Sequence, residues 1–299
     1  MAGQPSKPPP KRSSMPPFRV MTYNILYGGV GREQRIRDVV SALRPDVAVF
    51  TEVTATDSFE AIADVVGPHR VAAASRFGGE HAAIVSRWPI IRSDLHGPPW
   101  APRKWVRATL RPFGGPSVSI HGVHLVPQPL WPCEVWRRAE VRSLLKRLRD
   151  PACAPHIVAG DFNTLMAGDT LRREGAPAWV RAQLAIQRGW PRWALKGLTN
   201  AGYTDCYRAC HPREHGFTVP AWAPGARIDY VFASPDLERS LRAAGTVETR
   251  PPDGSARVPP RRSLPELLGW TPVRSLEHEA SDHLPVWADF EWPSGGDGS

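Results

Sequence analysis

The chain is short of cysteine, of acid and of long apolar runs, and each shortage excludes something. Four cysteines occur in 299 residues, too few for a disulfide scaffold of this size. Cys206, Cys210 and His211 lie close together, but no second ligand pair has matching spacing, so a structural zinc site is not expected. No stretch reaches about 18 apolar residues, so no membrane-spanning helix is expected. No G-x-S-x-G elbow points to a serine hydrolase, and there is no internal repeat. The first seventeen residues, MAGQPSKPPPKRSSMPP, lack the apolar segment of a secretory signal. Six prolines and three cations there read as a disordered basic leader over 1–17, and the expected address is cytoplasmic. Asp and Glu number 29 against 38 Lys and Arg, a formal charge of +9. Only three units of it, Lys7, Lys11 and Arg12, sit in the leader. The rest belongs to the body and favours polyanionic partners: nucleic acid, acidic lipid surfaces or phosphorylated small molecules.

What is present is a core-forming chain, 41% hydrophobic, with no composition break that would divide residues 18–292. The segment Phe18 to Asn24 reads as a strand ending in a Gly28-Gly29 turn. Ile36, Val39, Val40 and Leu43 then space a helix over 32–43, closed by Pro45. Asp46 to Glu52 is a near-continuous apolar run of strand length, and a helix follows at about 57–66. From 69 to 124 short β segments (69–75, 81–86, 89–95, 104–111, 117–125) are expected to form an antiparallel meander. Residues 134–149 give the clearest helix. Its core stripe is Val141, Leu144, Leu145 and Leu148, with Arg137, Arg138, Arg142, Lys146, Arg147 and Arg149 on the other faces. Strands are expected again at 156–160, 227–234 and 284–292. The stretches 165–222 and 251–280 read as irregular, and 293–299 as a disordered tail. Meanders with outer helices predict an α/β (α+β) domain in which packed sheets are covered by helices.

Several of these strands end in polar residues unsuited to a core: Asn24, Glu52, His124, Asp161 with Asn163, and Asp282 with His283. Asp229 sits within the apolar run Ile228 to Phe232 and must be paired, because an isolated buried charge costs several kcal/mol. Glu52, Asp282 and an amide such as Asn24 offer hard oxygen donors suited to Mg²⁺. A histidine held by a buried aspartate is an oriented general base. Together they suit metal-assisted attack of water on phosphorus.

Five segments carry a resemblance: Tyr23-Asn24-Ile25, Asp46 to Glu52, Gly160-Asp-Phe-Asn163, Arg227-Ile-Asp-Tyr230 and Ser281-Asp-His283-Leu-Pro-Val286. In this order they resemble the endonuclease/exonuclease/phosphatase superfamily of metal-dependent phosphoesterases. The weaker segments Ala83 to Ile90, Gly122 to Leu125 and Gly216 to Thr218 agree, so the resemblance spans about 18 to 292. It implies a four-layer sandwich of two mixed β-sheets flanked by helices. It implies Mg²⁺ or Mn²⁺ held by Glu52, with Asn24 beside it and Asp282 nearby. Asp229 would hold His283, while Asn163 and His124 would contact the phosphate and Arg227 the substrate. Either Asp161 or the Asp229–His283 pair would serve as base.

Two departures, Leu26 where many abasic-site endonucleases carry an acid and His124 where they tend to carry tyrosine, lean away from that branch. The expectation is a monomeric phosphodiesterase acting on nucleic acid. The alternatives are an enzyme for lipid headgroups or phosphorylated small molecules, with peripheral lipid contact, and a catalytically silent binding module. Trp179, Trp190, Trp193 and Trp222 would stack bases, dip into lipid, or simply pack a large loop.

Overall fold

In the computed structural model, strand β1 (Phe18–Asn24) and strand β2 (Val47–Val53) run parallel, as a crossover helix between them requires. That helix, α1 (Glu33–Leu43), buries Ile36, Val40 and Leu43 and ends on Arg44 in the left-handed conformation just before Pro45. Strands β3 (His69–Ala72) and β4 (His81–Ser86) extend the same sheet beyond β2. On its other side β1 pairs with the last strand, β12 (Val286–Phe290), and that with β11 (Leu241–Thr246). The described residues are 17–293 apart from 55–56, 74–80, 102–104, 151–154, parts of 174–188, 223 and 248–278.

The second sheet has the order β5-β6-β7-β8-β10-β9. Its members are β5 (Arg92–His96), β6 (Trp105–Leu110), β7 (Val118–His124), β8 (His156–Asp161), β9 (Thr204–Asp205) and β10 (Asp229–Ala233). Helix α3 (Trp131–Leu148) makes the crossover from β7 to its parallel neighbour β8. Helix α2 (Asp57–Ala63) covers the first sheet, and two one-turn helices, α4 (Lys196–Asn200) and α5 (Cys206–Cys210), belong to the second half.

Side-chain alternation builds four layers from these strands. Val47 and Val49 join Ile84, Val106, Ile120, Ile157 and Val231 in the core between the sheets. Their neighbours Ala48 and Phe50 face outward with Ile36, Val40, Phe59 and Ile62 of α1 and α2. On the far side Val158 and Phe232 pack with Val141, Leu144 and Leu148 of α3. This is the expected sandwich of two mixed sheets. No helix among the described residues is long and apolar enough to cross a membrane.

The structure also departs from the expectations. The 69–124 meander is divided, with β3 and β4 in one sheet and β5 to β7 in the other. Trp88 and Ile90 lie at the changeover and pack against the inter-sheet core. Strand β11 and the helices α4 and α5 occupy stretches with no clear periodic signal. Arg137, expected on an outer face of α3, is fully buried against Glu134. The expected leader at 1–17 up to residue 16, the expected tail from residue 294 onward, and most of the 251–280 insertion lie outside the described residues.

Candidate active site

The polar strand ends converge on one edge of the sandwich. On the second sheet the register sets His124 of β7 opposite Asp161 of β8, and Asp161 opposite Asp229 of β10. One row across three neighbouring strands therefore carries an imidazole and two carboxylates, all buried. Gly160 makes the row possible. Its φ is 150°, and a Cβ there would lie 1.9 Å from the Val123 carbonyl oxygen.

The first sheet contributes Asn24 and Glu52 from the ends of two parallel neighbours. The β2–β4 register breaks between Phe50 and Val53, and Glu52 adopts the left-handed conformation (φ 57°) that aims its carboxylate at the cluster. Asn24 bridges the sheets. Its Nδ2 donates to Glu52 Oε1 and to Asp161 Oδ2, at 3.0 Å each, while its Oδ1 accepts from the Leu26 N–H at 3.0 Å. Asn24 thus presents N–H groups rather than its oxygen to the carboxylates.

Asp161 also accepts the Asn163 N–H at 2.8 Å, and His124 Nε2 is 3.7 Å from its Oδ2. Burial, then the neighbouring Asp229 charge, push its carboxyl up to about 7, against the opposing pull of His283 and of the Asn163 and Asn24 hydrogen bonds. Asn163 takes a left-handed backbone conformation and donates its side-chain amide to the Leu125 carbonyl at 3.2 Å.

His283 Nδ1 lies 2.8 Å from Asp229 Oδ2. Burial alone would lower the imidazole, but the Asp229 charge and hydrogen bond, helped by Asp282 and Asp161, hold it well above its usual value. Ser281 Oγ donates to the Asn24 carbonyl at 2.7 Å and fastens the 281–283 turn to β1. Arg32 donates to the carbonyls of Ala280 at 2.5 Å, Ile25 at 3.0 Å and Leu26. Thr218 Oγ1 accepts the Ile228 N–H at 3.2 Å, and its carbonyl takes the Leu284 N–H at 2.7 Å. Ser281, Arg32 and Thr218 brace the site without having stood out among the expected residues; Ser281 and Thr218 lie inside recognisable segments, while Arg32 carries no signal.

Among the described residues, two groups have ligand atoms within 4.8 Å of one another: Glu52, His124 and Asp161; and Asp161, Asp229 and His283. The first, two carboxylates and an imidazole, suits a divalent cation. Asp282, expected near Glu52, lies outside both groups, although its charge acts on His283 and Arg32. Arg227, expected to meet substrate, is buried. It donates to Asp169 Oδ2 and Oδ1 at 3.0 Å each and to Asp205 Oδ1 at 2.9 Å, and lies over the Tyr230 ring. Its guanidinium braces the loop beyond Asn163, and its donors go to Asp169 and Asp205 rather than to the open edge.

A two-sheet sandwich with acid, amide and imidazole groups gathered at one edge defines the class as phosphoesterase-like. The sequence matches the model of the Endonuclease/Exonuclease/phosphatase family over residues 21–283, and the chain belongs to that family. Among solved structures, the 3′ phosphatase NExo of Neisseria, bound to a product DNA hairpin, is similar at 20% identity and TM-score 0.64, covering 92% of this chain and 100% of that one. An AP endonuclease from Archaeoglobus fulgidus is similar at 17% identity and TM-score 0.63, covering 92% and 99%. The human Nocturnin catalytic domain, with bound sulfate, is similar at 18% identity and TM-score 0.60, covering 96% and 100%. At these identities the likeness is one of fold. No curated protein matches the sequence significantly.

Proposed function

We propose that the protein hydrolyses phosphodiester bonds in nucleic acid with the help of Mg²⁺ or Mn²⁺. The observation that carries the reading is that one carboxylate, Asp161, belongs both to the group with Glu52 and His124 and to the group with Asp229 and His283. A divalent cation held by Glu52, beside Asp161, would supply positive charge to the phosphoryl oxygens as charge builds there. Asp161 orients the attacking water and takes its proton, a role supported by a carboxyl pushed up to about 7. His283, kept charged by Asp229, donates a hydrogen bond to a phosphoryl oxygen. Asn163 and His124 steady the phosphate from the same edge. Nucleic acid is favoured by the body's excess of Lys and Arg.

The test is a metal-supplemented comparison of DNA, RNA, abasic DNA and sphingomyelin, with His283→Ala and Asp161→Ala as controls. Cleavage of DNA or RNA, lost at least 100-fold in both variants at unchanged folding, is expected. Wild-type turnover in either variant would refute the chemistry, and cleavage confined to sphingomyelin would move the substrate to lipid.

A further inference from the structure

Helix α3 sorts its charges by face. Its two acids, Glu134 and Glu140, are buried, as is Arg137. The outward residues are Trp131, Pro132, Val135 and Trp136 at the N-terminal end, then Arg138, Arg142, Lys146 and Arg147, of which Arg147 reaches Asp94 of β5 at 3.1 Å. A solvated helix ordinarily mixes both signs on its open face; this one shows no acid there along 18 residues, about 27 Å at 1.5 Å per residue.

A groove of about 500 Å³ runs beside that face, between α3 and the Trp193 to Asn200 segment. Arg138, Arg142, Lys196 and Asn200 line it together with Trp193, and no acid among the described residues does. Val141 and Gly197 also line it, and a Cβ on Gly197 would stand 3.0 Å from Leu145 Cδ1, so a larger residue there would need the Leu145 side chain to give way. Trp131 meets Trp193 edge to face at 6.0 Å and holds it at the groove's head.

The inward acids tie this helix to the loops that leave the active-site edge. Glu134 accepts the Trp193 and Ala194 N–H groups at 2.6 and 2.9 Å, and the Thr164 hydroxyl at 2.8 Å, one residue past Asn163. Glu140 accepts the Val126 N–H at 3.0 Å, two residues past His124. Both loops that leave the phosphate-binding edge are therefore tied to the underside of α3.

We propose that the α3–α4 groove and the tryptophans at its head form a docking track for single-stranded nucleic acid that continues from the active site. Cations track the backbone, and indole faces accept bases without regard to sequence. A bilayer is the other anionic partner with a use for tryptophan, but a flat surface cannot enter a groove, whereas a strand uses both the groove and the rings. The track rests on the reading of the active site as a nucleic-acid phosphodiesterase.

Fluorescence anisotropy with a labelled oligodeoxythymidylate of about 12 nucleotides tests it, comparing the full chain with Arg138→Glu/Arg142→Glu. The expected result is a Kd at least tenfold weaker and a log–log salt slope about 1.4 units shallower, because two phosphate contacts with a single strand are lost. Hydrolysis of bis(p-nitrophenyl) phosphate, too small to reach the track, stays at the wild-type rate. An unchanged Kd and salt slope overturn the track even if the oligonucleotide is still cleaved. Weaker binding by the variant, with no cleavage by either protein, leaves the track standing and removes the nuclease reading instead. Binding of phosphatidylserine vesicles that the double variant loses, while oligonucleotide binding is untouched, overturns the track in favour of a membrane.

Discussion

Asp161 on β8 and Asp229 on β10 face each other as register partners of an antiparallel pair, both buried. Like charges opposite one another on a sheet are destabilising, and here each is offset by its own partner. Asp229 is held by His283, and Asp161 by Asn24 and the Asn163 N–H.

This pairing sets a pH dependence of stability. Burial and the Asp229 charge raise Asp161 to about 7, and Asp229 raises His283 above its usual value against the effect of burial. For both groups the native state binds more protons than the unfolded chain, so stability falls as pH rises. The contribution of His283 is complete below its unfolded value of about 6.5 and is lost as pH rises through its raised native value. Asp161 loses its contribution from about 4 up to about 7. In chelator, Tm is expected to fall between pH 6.5 and 8, and added Mg²⁺ or Mn²⁺ is expected to flatten the fall by binding the ionised site. Scanning calorimetry across that window, with and without cation, measures both. A Tm that climbs with pH in chelator would contradict the assignment.

Asn24→Ala removes the amide that spaces Glu52 from Asp161. Two carboxylates then face each other without the intervening N–H groups, so turnover is expected to fall about 10- to 100-fold, with weaker cation activation. A titration of activity against Mn²⁺ would show the half-activating concentration move upward.

Gly160→Ala would drive a methyl group into the Val123 carbonyl. With 1.9 Å available, β7 and β8 must separate, at a cost of about 3 kcal/mol or more for overpacking. Urea denaturation should show a lower midpoint, or the variant should fail to accumulate as folded protein. Wild-type stability would mean that the row of His124, Asp161 and Asp229 does not depend on this close approach.

Arg227→Met separates bracing from substrate contact. Removing the guanidinium strands Asp169 and Asp205, and losing one partner of a buried ion pair costs about 3–5 kcal/mol. The expected variant is strongly destabilised, and on whatever remains folded kcat falls more than KM rises. A stable variant with a raised KM alone would return Arg227 to the substrate.

Much of this architecture is written locally. Val47 to Phe50 and Ile157 to Ala159 are apolar on both faces and could only be interior strands, and Asp229 stood out as an acid inside such a run. The segment Leu241 to Thr246 has no β-branched residue before its last position and is a strand because β12 offers it a ladder. Arg137 reads as an outer-face cation and Arg227 as a substrate contact, because the full set of groups that buries each is assembled only by the tertiary fold. Arg227 is turned inward by Asp169 and Asp205, far from it in the chain, and Arg137 by Glu134 together with the Val126 and Gln128 carbonyls. Asn24 was recognisable as a site residue, but the direction of its amide depends on carboxylates from two other strands.

The Asn24 amide also joins the layers mechanically. One of its N–H groups grips the first sheet at Glu52 and the other grips the second at Asp161, so the gap between the two carboxylates is a gauge of how the sheets are aligned. A small slip of one sheet over the other, too small to melt either, would open that gap. Catalysis should therefore fade on warming before the circular dichroism of the strands changes, and mutations deep in the inter-sheet core should reach the chemistry by this route.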